Sequence, residues 1–333
     1  MARERSHVRK RRRGCLSGCL VNVILLFGVA ALLFVAGCSL GVIRNDPETG
    51  APYVTFEEFG MGALRLPELS DLELPSLDGL NLPAWPYRVN KTGLTVKTLN
   101  AGDGEAVLVC ADGYTMLLGG GEGKGILLCG QLLLSGVNHL HAAVAMQSSD
   151  AQIGGMATAV RLMKPDYLIY PDTQVKTKAY NAMLAAAEKA EGVKGMSPEQ
   201  GLTFSLGRAT VSFIGPAARR HTDDRDDGLS VRIDYGQTSV LVMGGITQDA
   251  EREILSSAHV DADVLIASSG GSSAGTCAEF VQAVTPDYAL LTGKNPANAV
   301  RVRLERAGAE VMDAGENGVM TVFSDGYAIE VQP

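Results

Sequence analysis

Past residue 91 the chain breaks into short runs of alternating apolar and polar residues, the period-two signature of strands with one face buried, separated by stretches of helical spacing. Strands are predicted at 94–99, 106–110 and 115–118, the last two joined by a turn through Asp112-Gly113. The apolar run 126–137 predicts a helix buried on most sides, followed by a strand at 142–146. Helical spacing returns at 153–163 and 175–190, with a strand at 167–170 between them. A second half repeats the theme. Its strands are expected at 202–204, 210–214, 230–234, 239–243, 264–267, 288–291, 310–313, 319–323 and 327–331, and its helices at 249–258, 277–284 and 298–307. Strands interleaved with helices in two halves predict two sheets with helices outside them.

The pattern differs before residue 91. From Gly14 to Ile43 no residue is charged, and 20–37 is almost wholly apolar, enough to span a bilayer core of ~20 residues. Arg3, Arg5, Arg9, Lys10, Arg11, Arg12 and Arg13 precede it, which places 1–13 in the cytoplasm and the bulk of the chain outside the cell membrane. Two readings stay open for 14–43: an uncleaved transmembrane anchor, or a lipoprotein signal in which Val35-Ala36-Gly37-Cys38 resembles a lipobox and Cys38 carries the lipid. Residues 44–90 hold Pro47, Pro52, Pro67, Pro75, Pro83 and Pro86, with Leu-Pro pairs recurring at 66, 74 and 82, and read as an extended semi-rigid extracytoplasmic linker. The compact domain is then 91–333.

Composition changes this picture in two ways. The net charge of −8 conceals +6 in residues 1–43 against −14 in the remainder, so the domain repels polyanions and nucleic acid is an unfavoured partner. The membrane, through 14–43, is the expected partner, with an unidentified protein or surface ligand. Cys110, Cys129 and Cys277 are odd in number and form no C-x-x-C pair, so they read as buried thiols rather than a disulfide framework or zinc ribbon.

Several short motifs occur in one order. LNAGDGE at 99–105 resembles an L-D-V-G-Q-G-D opening, and Asp112-Gly113 through Gly121 resembles D-G-x-x-x-L-I-D-x-G. DAQIGG at 150–155 ends like H-x-D-H-I-G-G, 227–245 resembles a hairpin ending in T-G-D, and 263–272 resembles a strand ending in H-H-G-S. Ala307-Gly308 and Glu316-Asn317-Gly318 match the A-G and E-N-G near the end. Together these resemble the metallo-β-lactamase fold superfamily, specifically the secreted C-terminal domain of ComEC-type competence DNA-uptake proteins. The resemblance implies an α/β four-layer αββα sandwich behind the N-terminal anchor, with a site at one edge where histidines and aspartates hold two zinc or manganese ions. Those ions polarise a scissile group and generate hydroxide.

At the matching positions this chain carries no such ligand. The loop positions fall on Gln147, Ser149, Ala151 and Gln152, the bridging aspartate on Gly245, and the His-His pair on Ser269 and Gly270. Zinc sites need imidazole, thiolate or carboxylate. The expectation is a degenerate scaffold: no cofactor, both ions lost, and a non-catalytic binding or accessory role. A hydrolase or phosphodiesterase with relocated ligands, and a DNA-uptake accessory, are the alternatives.

Three further clusters offer chemistry. His139 and His141 share one face of a strand, expected at its far end from the metal loop, and read as core or surface histidines. His221 and the acidic run to Asp227 can suit a hard cation, but lack calcium-loop spacing and read as a solvated loop. Ser268, Ser269, Ser272 and Ser273 read as a flexible loop filling the old site, since His259 is expected to lie too far away to serve as a base. The glycines of 119–125 lack the P-loop's first Gly and its Ser/Thr.

Overall fold

A computed structural model describes residues 92–333 except 101, 103, 124 and 218–220, together with the backbone of three earlier strands. Contacts divide the chain into two compact units, Met1–Glu73 and Leu74–Pro333. The expected tail 1–13 and the apolar segment from 14 as far as 42, with Cys38, lie outside the described residues. Among the described residues no helix is long and apolar enough to cross a membrane.

In the first unit, β1 (Ile43–Asn45), β2 (Pro52–Phe56) and β3 (Met61–Arg65) pair as an antiparallel sheet in that order. This corrects the reading of 44–90 as extended spacer throughout. Pro52 stands first in its strand, where a missing N–H does least harm, and Tyr53, Val54, Thr55 and Phe56 are strong strand formers that the proline count obscured.

The second unit is a four-layer αββα sandwich. One sheet has the order β18-β17-β4-β5-β6-β7-β8-β9 and the other β10-β11-β12-β13-β14-β15-β16. The first comprises β4 (Leu94–Thr98), β5 (Ala106–Ala111), β6 (Tyr114–Gly119), β7 (Ala142–Val144), β8 (Tyr167–Ile169) and β9 (Lys194–Met196), closed by β17 (Thr321–Ser324) and β18 (Ile329–Gln332). The second comprises β10 (Thr203–Leu206), β11 (Ala209–Gly215), β12 (Ser230–Tyr235), β13 (Thr238–Val242), β14 (Val264–Ile266), β15 (Tyr288–Leu291) and β16 (Glu310–Asp313). In each sheet a run of antiparallel strands gives way to parallel ones joined through helices.

Alternation along each strand builds the layers. Val107, Val109, Met116 and Leu118 face Phe213, Val231, Ile233, Val240 and Ile266 between the sheets. The opposite faces, Leu108, Leu117 and Ala143, pack under α1 (Gly125–Leu134), α3 (Met156–Met163) and α4 (Lys178–Lys189). Leu241, Leu265, Ala289 and Leu291 likewise pack under α5 (Gln248–Ser257), α6 (Ala278–Val284) and α7 (Asn298–Arg306). Sheets covered on both faces explain the nearly continuous apolar runs of β5 and β13.

Two expectations are corrected, and one helix is added. The helix expected at 153–163 is two, α2 (Asp150–Ile153) and α3, because Gly154 and Gly155 pass against the 120–123 backbone: a Cβ on Gly154 would lie 2.3 Å from Gly123 N, one on Gly155 2.4 Å from Gly120 O. Helix α1 is not buried on most sides; Ile126, Leu127 and Leu134 are exposed along one face. A single-turn helix, α8 (Ala314–Asn317), precedes β17 unannounced by periodicity.

Asp112 latches the two sheets. Held at φ 51° in the β5–β6 turn, it accepts from Gly93 N (3.2 Å), Tyr235 Oη (2.9 Å) and both the backbone and guanidinium of Arg208. The Arg208 guanidinium holds its carboxyl well below the usual range, against the smaller opposing effect of burial. A depressed carboxyl contributes stability present above its unfolded value and lost as pH falls. Asp112→Asn tolerates the same φ but loses the ion pair. It is expected to unfold at lower urea than wild type at pH 6, with the gap narrowing below pH 3.

Candidate functional site

The carboxyl ends of β7, β13 and β14 deliver three loops to one edge of the sandwich, the place where α/β sheets gather ligand-binding side chains. The loop after β7 brings Gln147 and Ser149, the loop after β13 brings Gly245, and the loop after β14 brings Ser269 and Gly270. The positions implied by the resemblance therefore do converge, and they bond to one another. Gln147 Nε2 donates to Gly245 O (3.3 Å) and Arg225 O (3.2 Å), and Ser149 Oγ donates to Gln147 Oε1 (3.2 Å). Ser269 Oγ donates to Gly245 O (3.0 Å) and approaches Ile246 O (3.1 Å). The Gln147 amide fills the space a side chain at 245 would need: a Cβ there would sit 2.7 Å from Gln147 Oε1.

The other two positions turn aside. Gln152 Oε1 accepts from Glu105 N (3.1 Å), and Ala151 is exposed, its carbonyl pressed against Gly104. Asp150, one residue out of register, accepts from Ala179 N (2.8 Å). These residues do not fit two transition ions, since amide, hydroxyl and glycine replace every imidazole and carboxylate.

The serine loop is not the flexible filler expected from sequence. Ser268–Gly271 forms one 3-10 turn in which Ser269 and Gly270 both take positive φ. Ser268 is buried and donates to Glu251, a fully buried carboxylate that also accepts from Thr276 N and Cys277 N. Exposed His259 lies at the opposite end of β14, before the strand, and reaches none of these serines.

Beside the plugged loops lies a cavity of about 250 Å³, lined in part by Thr98, Glu105, Thr292, Lys294, Gly315 and Val319. Glu105 is 4% exposed; its Oε2 accepts from Thr292 Oγ1 (3.3 Å) while Oε1 is buried with no partner among the described residues. Burial drives its pKa up to about 7, against the smaller effect of Thr292. A carboxyl that changes protonation near neutrality in a cleft is a mark of binding and catalytic sites. The sequence reading missed Glu105 as a chemical group, though it ends the 99–105 motif. It missed Glu251 as well, which sits on an otherwise surface-patterned helix.

The acidic run is also corrected. Asp226 and Asp227 are buried rather than solvated. Asp226 accepts from Thr247 N and Oγ1 (2.8 Å each), and Asp227 from His221 N (2.9 Å). His221 pairs with Asp227 and Glu253; burial opposes its charge, but the two carboxylates raise its pKa. Asp223 pairs with Arg225. These carboxylates are committed within the fold and offer no open cation site. Cys110, Cys129 and Cys277 are buried thiols; burial pushes Cys129 and Cys277 up to about 11.

ComE operon protein 3 of Bacillus subtilis is 24% identical over 196 residues, 57% of this chain and 25% of that protein. Competence protein ComA of Neisseria gonorrhoeae is 24% identical over 116 residues, 32% of this chain and 17% of that protein. The chain is similar to ComEC-type competence proteins. It spans a quarter or less of the length of the curated relatives it matches. No family model matches it. Among solved structures, the metallo-β-lactamase fold protein YhfI of Bacillus subtilis aligns with a TM-score of 0.49 at 16% identity, covering 68% of this chain and 98% of that one. The metallo hydrolase Igni18 of Ignicoccus hospitalis aligns at 0.45 and 16% identity, with the same coverage.

Proposed function

We propose that this ComEC-related, metallo-β-lactamase-like domain is a non-catalytic binding or accessory module, held outside the cell by the apolar segment 14–43. The observation that carries the reading is the hydrogen-bonded plug of Gln147, Ser149, Gly245 and Ser269, which satisfies its own polar atoms where ligands to two ions would stand. An ion there would break bonds already made and gain no charged ligand. The basic cluster before 14–43 supports an outward-facing domain, whether anchored by a helix or lipidated at Cys38. Its partner is then a protein or surface ligand rather than nucleic acid, in keeping with the acidic balance of the domain.

The test is hydrolysis of bis-p-nitrophenyl phosphate by the full chain in detergent, with zinc or manganese added. No turnover above background is expected. Turnover abolished by a chelator would overturn the reading in favour of the relocated-ligand hydrolase, and salt-sensitive DNA binding would favour the uptake accessory.

The plug makes a structural prediction. Gly245→Asp, which returns one ligand of the implied set, drives a side chain into the Gln147 amide and is expected to cost about 1–3 kcal/mol. Adding Gln147→Ala clears the space and recovers most of that loss, so urea denaturation of the two single variants and the double should show strong coupling.

A further inference from the structure

At the opposite end of β7 from the plug, three potential ligands meet. His139 and His141 lie on the approach to β7 and Asp166 on the approach to β8. One ligand atom from each lies within 4.8 Å of the others, the one such grouping of His, Cys, Asp or Glu among the described residues. His139 Nε2 stands 3.3 Å from Asp166 Oδ1. Backbone pairing holds two of them, with His141 N donating to Thr115 O (2.9 Å), Asp166 N to Leu140 O (3.1 Å) and Tyr167 N to His141 O (3.2 Å), while His139 O accepts from Thr115 Oγ1 (2.8 Å). Tyr114 packs on the His141 ring at 4.8 Å between centroids. The side chains of His139 and Asp166 are 43% and 53% exposed, so the group opens to water on one side. Asp166 supplies the further ligand that the spacing of the two histidines could not reveal.

We infer that His139, His141 and Asp166 form a binding site for a single divalent transition ion of the zinc type, separate from the plugged loops. Two imidazoles and one carboxylate are a complete protein ligand set for zinc with water in the fourth position. About six residues of extended chain, roughly 20 Å at 3.3 Å per residue, separate His141 from Gln147, so an ion here touches none of the plug. Without an ion, His141 Nδ1 accepts from Thr115 N (3.0 Å), which places the ring proton on Nε2. Binding through Nε2 puts a proton on Nδ1, opposite the Thr115 N–H, so ligation requires the His141 ring to swing off that bond.

The experiment is a titration of the chelator-stripped full chain with zinc chloride by calorimetry, and with cobalt chloride by visible absorption. One equivalent is expected, with cobalt bands of a low-coordinate nitrogen–oxygen site. His139→Ala and Asp166→Asn, both half-exposed and compatible with the fold, should each weaken zinc by about tenfold or more. Ser149→Ala with Gln152→Ala should leave binding unchanged. Absence of stoichiometric binding, or binding that survives His139→Ala, would overturn the inference; unchanged thermal melting of the variants separates lost ligation from lost structure.

Discussion

Replacing Glu105 with Gln is expected to stabilise the protein at pH 8 and to abolish most of a stability decline between pH 4.5 and 7. Burial raises this carboxyl from 4.5 to about 7 in the folded chain, whereas the unfolded chain returns it to water. A raised carboxyl means that the folded state holds a proton the unfolded state has released. Its contribution is therefore fully present below the unfolded value and is lost as pH rises through the folded one. A shift of this size amounts to about 3 kcal/mol across that window. Gln is near in shape and never ionises, so urea midpoints of the variant should vary much less with pH, crossing above wild type by pH 8. A parallel pH dependence in both proteins would show that another group carries the effect. His221 is the main competitor, since its raised pKa also gives stability that is lost as pH rises, around and above 6.5. Combining Glu105→Gln with His221→Gln separates the two.

The retention of such a carboxyl bears on function. Ionised Glu105 faces a cavity with one oxygen unpartnered among the described residues, a state that a bound cation or hydrogen-bond donor would relieve. A binding module keeps such a group at the cost of stability, and the cavity beside the plug is where a ligand of the proposed module would be sought first.

The features legible in the sequence are those set by local pattern. The Asp112-Gly113 and Gly236 turns bracket strands whose alternation is unambiguous, and all three predicted hairpin strands of the first sheet appear within a residue or two. That Gln147, Ser149, Gly245 and Ser269 lie together at one edge follows from the glycines and strands that surround them in sequence. Other features depend on distant partners. Strand β9, Lys-Gly-Met, has no alternation and exists by pairing its backbone with β8. The apolar residues of α1 do not say which of them will be covered, and the exposed Ile126, Leu127 and Leu134 look no different in sequence from buried Leu128 and Leu132. Asp166 and Glu251 acquire their roles only when the chain brings them beside residues 25 or more positions away, His141 and Cys277 respectively.

Glu251→Ala is expected to cost about 3–5 kcal/mol, the largest loss from any single polar substitution proposed for this chain. Its carboxylate is fully buried beneath the loop after β14 and accepts from Ser268 Oγ, Thr276 N and Cys277 N. Cys277 is the N-cap residue of α6 and its own side chain does not cap, so Glu251 supplies from a distance the acceptor a helix start requires. Thr276 holds φ 55° to aim its N–H at the same oxygen as Ser268. Alanine takes away the acceptor shared by two buried amides and a hydroxyl. Gln is the discriminating variant: it preserves volume but turns a donor toward one of these groups, so it should cost about 1–3 kcal/mol, less than Ala yet well above a surface change. Hydrogen exchange should show protection lost first at the amides of Thr276 and Cys277, with the sheet beyond unaffected. If both variants cost under about 1 kcal/mol, the carboxylate does not hold the loop, and the rigidity of the plugged edge, on which Ser269 depends, must come from the paired glycines Gly270 and Gly293 instead.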